Sequence, residues 1–211
     1  MSSPYKSLVI VTTLLVIGIG VTLYQTLDHQ RKPDQAAQAA AGIVSLPQGR
    51  DLPDLSLISH LQQPFKVRDL KGQWSLVFFG YTFCPDICPT TLADLRQLNA
   101  LLPEAARRRL RIVMVSVDPN RDTPEQLKSY LSYFSPDFIG LTGPLADIQS
   151  LSNTLGIPFI PGDTQRPHYK VDHSGNLAII GPDGRLQGFI RAPLNIQKLA
   201  EQLPRLLEGN G

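Results

Sequence analysis

Only two cysteines occur in the 211 residues, too few for a disulfide scaffold. An excess of either charge is missing as well. Lys and Arg total 20 against 18 Asp and Glu, and over residues 43–211 the counts are 17 and 16. That balance leaves no electrostatic footprint for nucleic acid. The Arg107-Arg108-Arg109 run reads as a solvated helix end, favoured there by the helix dipole. No internal repeat is visible, and the amino terminus lacks the Arg-rich amphipathic pattern of a mitochondrial presequence.

Charge is absent altogether from Leu8 to Leu27. A run of this length spans a bilayer core of ~30 Å at about 1.5 Å per residue, so it predicts a transmembrane anchor with residues 1–7 on the cytoplasmic side. Ala37-Gln38-Ala39 has the small-x-small form of a signal-peptide cleavage site. It lies far past the apolar run and across a charged patch, and the run is longer than the usual signal core. The anchor is therefore expected to stay uncleaved. Lys6 before the run and Arg31 and Lys32 after it give little orientation bias. Residues 28–42, rich in Ala and Gln, offer no apolar stripe and read as a flexible tether. Residues 43–211 suffice for one packed domain.

Within that domain apolar runs alternate with helical patterns. Trp74–Phe79 reads as a buried strand. Leu92, Leu95, Leu98 and Leu102 form the stripe of a helix ending near Pro103. Arg111–Val117 is a second buried strand. Thr123-Pro124-Glu125-Gln126 opens a helix, with Thr123 as N-cap, Pro124 in the first position and Gln126 closing a capping box. Phe138–Leu141 predicts a short strand and Pro144–Leu155 a helix. Tyr169–Ile180 and Arg185–Arg191 read as strands joined by the Gly181-Pro-Asp-Gly184 turn, and Asn195–Leu207 closes the chain as a helix. This order, with one strand–helix insertion, is that of a thioredoxin-like α/β domain with a central mixed sheet.

Both cysteines fall in Gly80-Tyr-Thr-Phe-Cys84-Pro-Asp-Ile-Cys88-Pro, where the first strand gives way to a helix. Reactive groups of α/β folds gather at the carboxyl edge of the sheet, and a helix N-terminus favours thiolate over thiol. Residues i and i+4 share one side of a helical turn. The spacing predicts a redox-active or metal-binding dithiol, because Gly80 and Pro85-Asp86 argue for an exposed turn rather than two inert core thiols. Four histidines are available as a third donor. His29 lies in the tether, His60 in an early hairpin segment, and His168 in a polar loop. His173 is favoured because its loop approaches the cysteine turn in such a fold. Two thiolates and an imidazole make a soft, low-coordinate site that suits Cu(I) or Zn. Three donors beside a membrane anchor fit copper better, since structural zinc wants four. Asp118-Pro-Asn-Arg121-Asp122-Thr123-Pro follows the second strand at the same edge. It reads equally as an Asp–Arg brace for the site and as a helix-capping loop.

Three blocks, Gly80–Pro89, Val117–Pro124 and Val171-Asp172-His173-Ser174, resemble the signatures of the Sco/SenC family across about residues 45–207. Leu177-Ala-Ile-Ile-Gly181-Pro182 departs from that family's usual hairpin, away from the donor residues. The resemblance implies a membrane-tethered, thioredoxin-like copper chaperone that helps assemble cytochrome c oxidase. It implies Cys84, Cys88 and His173 as copper ligands, with copper as Cu(I) and also Cu(II) in scope. The implied partners are the copper A-bearing oxidase subunit and other periplasmic copper carriers or thiol reductants. The implied location is the inner membrane, single-pass, with the domain in the periplasm.

Two readings of the dithiol then compete. A copper chaperone passes its ion by ligand exchange and needs His173. A thiol–disulfide oxidoreductase uses Cys84 and Cys88 as a redox-active pair, one thiolate attacking and the other resolving, and has no need of the imidazole. A peroxide-reducing thioredoxin-like activity is a third, weaker reading.

Overall fold

Seven consecutive buried residues, Trp74–Gly80, form the strand around which the molecule is organised. A computed structural model describes residues 4–31 and 35–208, and within the first helix the side chains of residues 8–24. Two units result, residues 1–34 and 35–211.

The first unit is helix α1 (Pro4–Arg31). Its large apolar side chains between Leu8 and Tyr24 are exposed. The hydroxyls of Thr12, Thr13 and Thr22 donate to carbonyls of their own helix, so these hydroxyls are satisfied internally. Among the described residues no helix is long and apolar enough to cross a membrane. The final residues of the expected anchor, 25–27, lie outside the described side chains.

The second unit begins with helix α2 (Gln35–Ala40), inside the stretch read as a tether, and Gln38 is buried there. Strands β1 (Ile43–Arg50), β2 (Ser56–Ser59) and β3 (Pro64–Lys66) follow, then β4 (Trp74–Gly80). Next come α3 (Ile87–Leu101), α4 (Glu104–Arg107), β5 (Leu110–Ser116), α5 (Pro124–Ser132), β6 (Ile139–Thr142) and α6 (Leu145–Thr154). The chain closes with β7 (Leu177–Ile180), β8 (Leu186–Ile190) and α7 (Ile196–Glu208). One sheet takes the order β1-β8-β7-β4-β5-β6-β2-β3. Strands β4, β5 and β6 run parallel, and every other pairing is antiparallel.

The segment β8-β7-β4-β5, with β7 against the others, is the thioredoxin-like core, and β6 with α6 is the expected insertion. Strand β4 is buried throughout and apolar from Leu76 to Phe79 because both faces are covered, as parallel strands require. Leu92, Leu95 and Leu98 on α3 are fully buried, each contributing about 1.5–3 kcal/mol. Thr123 caps α5, its hydroxyl accepting from Gln126 N–H at 3.2 Å. The reciprocal half of the expected capping box is not formed. The Gln126 amide reaches instead toward the Thr82 hydroxyl at 3.5 Å, because the cysteine turn packs against this helix end.

One expected strand is much shorter. Tyr169–Asn176 is irregular, tied to the preceding loop only by a bridge between Ile160 and Asp172, and regular pairing begins at Leu177. The alternating pattern of Tyr169 to His173 reflects anchoring by side chains rather than a ladder.

Candidate metal centre

Gly80 ends β4, and the chain turns sharply, with Cys84 N–H donating to Tyr81 O at 3.2 Å. Helix α3 starts at Ile87, so Cys88 lies in its first turn while Cys84 precedes it. The two cysteines therefore do not share one helical turn as their spacing suggested. The turn itself brings the sulfurs together. Both are free thiols. Cys88 is wholly enclosed and Cys84 is 8% exposed, and the Cys88 Sγ accepts a hydrogen bond from Tyr81 N–H at 3.3 Å.

His173 arrives from the irregular loop on the far side. Its Nε2 lies 3.1 Å from Cys88 Sγ and 3.8 Å from Cys84 Sγ. Its Nδ1 stands 3.0 Å from the Val171 carbonyl. A carbonyl only accepts, so Nδ1 carries a proton, and Nε2 is the ring nitrogen that faces the sulfurs. A backbone bond of this kind is the usual device for orienting a metal-binding imidazole. Tyr81 packs edge-on against the ring at 5.3 Å.

All three donor atoms lie within 4.8 Å of one another. Metal–sulfur and metal–nitrogen bonds of about 2.3 and 2.0 Å put donors around one ion some 3.5–4 Å apart, so small shifts would close the set on one ion. His60 and His168 are elsewhere. The Nδ1 of His60 accepts from Gly140 N–H at 3.0 Å, and burial lowers its pKa. His168 is exposed, with φ of 57°. His29 lies outside the described side chains.

The two thiols differ sharply. Hydrogen bonding from Cys88, set against desolvation, lowers the Cys84 pKa to about 5. Cys88 is pushed up, first by that same hydrogen bond and then by burial. The pair thus holds one negative charge, centred on the more accessible sulfur.

Beneath the cysteine turn, Asp122 is fully buried. Its carboxylate accepts from Thr82 N–H at 3.1 Å, the Thr82 hydroxyl at 2.7 Å and the Ser116 hydroxyl at 2.6 Å. Burial raises its pKa. Asp118 and Arg121 form the ion pair that the motif suggested, and Thr123 caps its helix, so both readings of that loop hold. Asp122 belongs to the loop read as a brace for the site, whereas the roles of Tyr81 and Tyr169 were not expected. The placement of Tyr81 directly after Gly80 was the one available cue.

A thioredoxin-like sheet with two sulfurs and an imidazole converging at its carboxyl edge defines a soft-metal-binding member of that fold, and the cluster fits a copper site. The chain belongs to the SCO1/SenC family, whose model matches residues 48–208. A protein of Stutzerimonas stutzeri, named as a candidate copper-binding protein, is 46% identical over 197 residues, covering 93% of this chain and 94% of that one. Arabidopsis thaliana ScoI with copper bound is 29% identical with a TM-score of 0.67, covering 74% of this chain and 97% of that one. Bradyrhizobium japonicum ScoI with copper bound is 30% identical with a TM-score of 0.65, covering 74% and 98%.

Proposed function

We propose that this protein is a membrane-tethered copper chaperone that carries Cu(I) on Cys84, Cys88 and His173. Its cargo would pass to the copper A site of cytochrome c oxidase. The observation that carries the reading is the orientation of His173. Its Nδ1–H is committed to Val171 and its Nε2 faces both sulfurs, an arrangement that dithiol chemistry alone does not need. Thiolates and imidazole are soft donors matched to Cu(I), and the copper-bound relatives point the same way. Phe83 and Ile87, each next to a cysteine, are 53% and 41% exposed. They offer apolar flanks for a transient interface across which ligands exchange. The exposed apolar side chains and internally bonded threonines of α1 support a membrane anchor, which we propose lies in the inner membrane with the domain in the periplasm. Tethering would raise the effective concentration near a membrane-bound target.

One observation favours a second activity at the same residues. The depressed pKa and partial exposure of Cys84 suit attack on a partner disulfide, with Cys88 resolving. Anaerobic Cu(I) titration against a competing chelator, wild type beside His173→Ala, separates the two. Tight one-to-one binding that weakens markedly in the variant supports copper carriage. Weak binding indifferent to His173 supports a thiol–disulfide reductase instead.

A further inference from the structure

His173 reaches the sulfurs from a loop with almost no backbone pairing, so something else must fix it there. The loop between α6 and β7 makes one isolated bridge, Ile160 with Asp172. Four residues before His173, Tyr169 is gripped at three points. Its ring lies under the Arg121 guanidinium, 3.7 Å from ring centre to Cζ. Its carbonyl accepts from Arg121 Nη2 at 3.0 Å. Its hydroxyl donates to Asp118 Oδ1 at 2.5 Å. Asp118 is 2% exposed and its other oxygen is paired with Arg121, so the clasp is a closed ring of three side chains. Arg121 also faces the Phe83 ring at 5.0 Å and the Tyr81 ring at 5.6 Å, both in the cysteine turn. Guanidinium stacking on aromatic faces together with directed N–H bonds is a task that lysine cannot reproduce. Gly162 closes over this point, since a Cβ there would collide with the Tyr169 ring and the Lys170 carbonyl.

Resting on the copper-carrying reading, we propose that Arg121 and Tyr169 are positioning residues that dock the His173 loop onto the cysteine turn and thereby set the reach of the imidazole. They touch neither the ion nor the sulfurs. They hold the segment from which Val171 presents its carbonyl to His173 Nδ1, and Val171 N–H itself donates to the Tyr81 hydroxyl at 3.4 Å. The third donor is thus delivered by a side-chain clasp, while the first two are delivered by the backbone turn.

The test uses the full chain with Arg121→Lys, which keeps a cation opposite buried Asp118, and Tyr169→Phe, which removes one hydroxyl and nothing else. In the metal-free protein, amide hydrogen exchange over residues 168–174 should quicken in both variants while α3 and β4 keep wild-type protection. Cu(I) affinity should fall about tenfold in each, the scale of losing a partner that orients a metal-binding histidine. In a His173→Ala background the same substitutions should weaken copper no further, because their effect runs through that imidazole. Unchanged exchange in both variants overturns the proposal, and so does copper weakening that persists in full without His173. Failure of the copper-carrying reading would show separately, as wild type and His173→Ala binding Cu(I) equally weakly. The exchange measurement would then still decide whether the clasp holds the loop. Tyr169→Phe carries the test by itself if Arg121→Lys does not fold.

Discussion

Gly80 and Cys88 pack so closely that a methyl group on Gly80 would stand 2.7 Å from the Cys88 sulfur and 2.6 Å from the Phe78 ring. The strand can end against the sulfur only because residue 80 has no side chain. Gly80→Ala should therefore push Cys88 out of register with His173. We expect a loss of about 1–3 kcal/mol in stability, typical of overpacking, and weaker Cu(I) binding, read by urea denaturation and chelator competition.

The uneven thiols predict a pH signature in the reduced, metal-free protein. Cys84 is lowered from an ordinary value of 9.0 to about 5, so between these limits the unfolded chain holds a proton that the folded chain has released. Its contribution to stability is complete above about pH 9 and disappears as pH falls through about 5. Cys88 is raised and acts in the opposite sense, reducing stability only above about pH 9. Alkylation of Cys84 should titrate with a midpoint near 5. The urea midpoint of wild type should rise relative to Cys84→Ser from pH 5 toward 9.

Asp122 accepts three hydrogen bonds in full burial. Asp122→Asn turns an amide donor toward donors, leaving at least one unpartnered. The expected cost is about 1–3 kcal/mol, measured by denaturation of the reduced protein.

Copper should stabilise the fold by mass action. Free Cu(I) at a hundredfold its Kd adds about 2.7 kcal/mol, and a strong chelator should remove that gain. Cys84→Ser should show no copper-dependent shift in Tm, and His173→Ala a reduced one.

The elements that could be read from sequence are those whose signals are local. Leu76–Phe79 is apolar without interruption, α3 repeats leucine at helical spacing, and Thr123-Pro124 marks the start of α5. Strand β1 escaped because Pro47 and Gly49 blur its alternation, and the short β2 and β3 were legible only as an early hairpin segment around His60. Tyr169–Asn176 looked like a strand because its side chains alternate, yet its partners are Arg121, Asp118 and Tyr81, 48, 51 and 90 residues away along the chain. No window of sequence contains such pairs. The same holds for the dithiol. The cysteines announced themselves by spacing, but the placement of Cys84 outside the helix depends on Gly80 and on the Tyr81 turn. His173 stood out by its place in the expected fold and by the Val171-Asp172-His173-Ser174 block, not by any local chemical signal.

The three donors of the centre stand at different depths, with Cys88 the most enclosed and His173 the least. Cys88 is sealed behind Tyr81 and the end of β4, and its Sγ is already engaged by a backbone N–H. Cys84 borders solvent. In a centre carrying Cu(I) as proposed, a partner's thiolate would therefore meet the Cys84 and His173 side before it met Cys88. The depth of Cys88 would make it the anchoring donor and leave the two outer donors to be exchanged first.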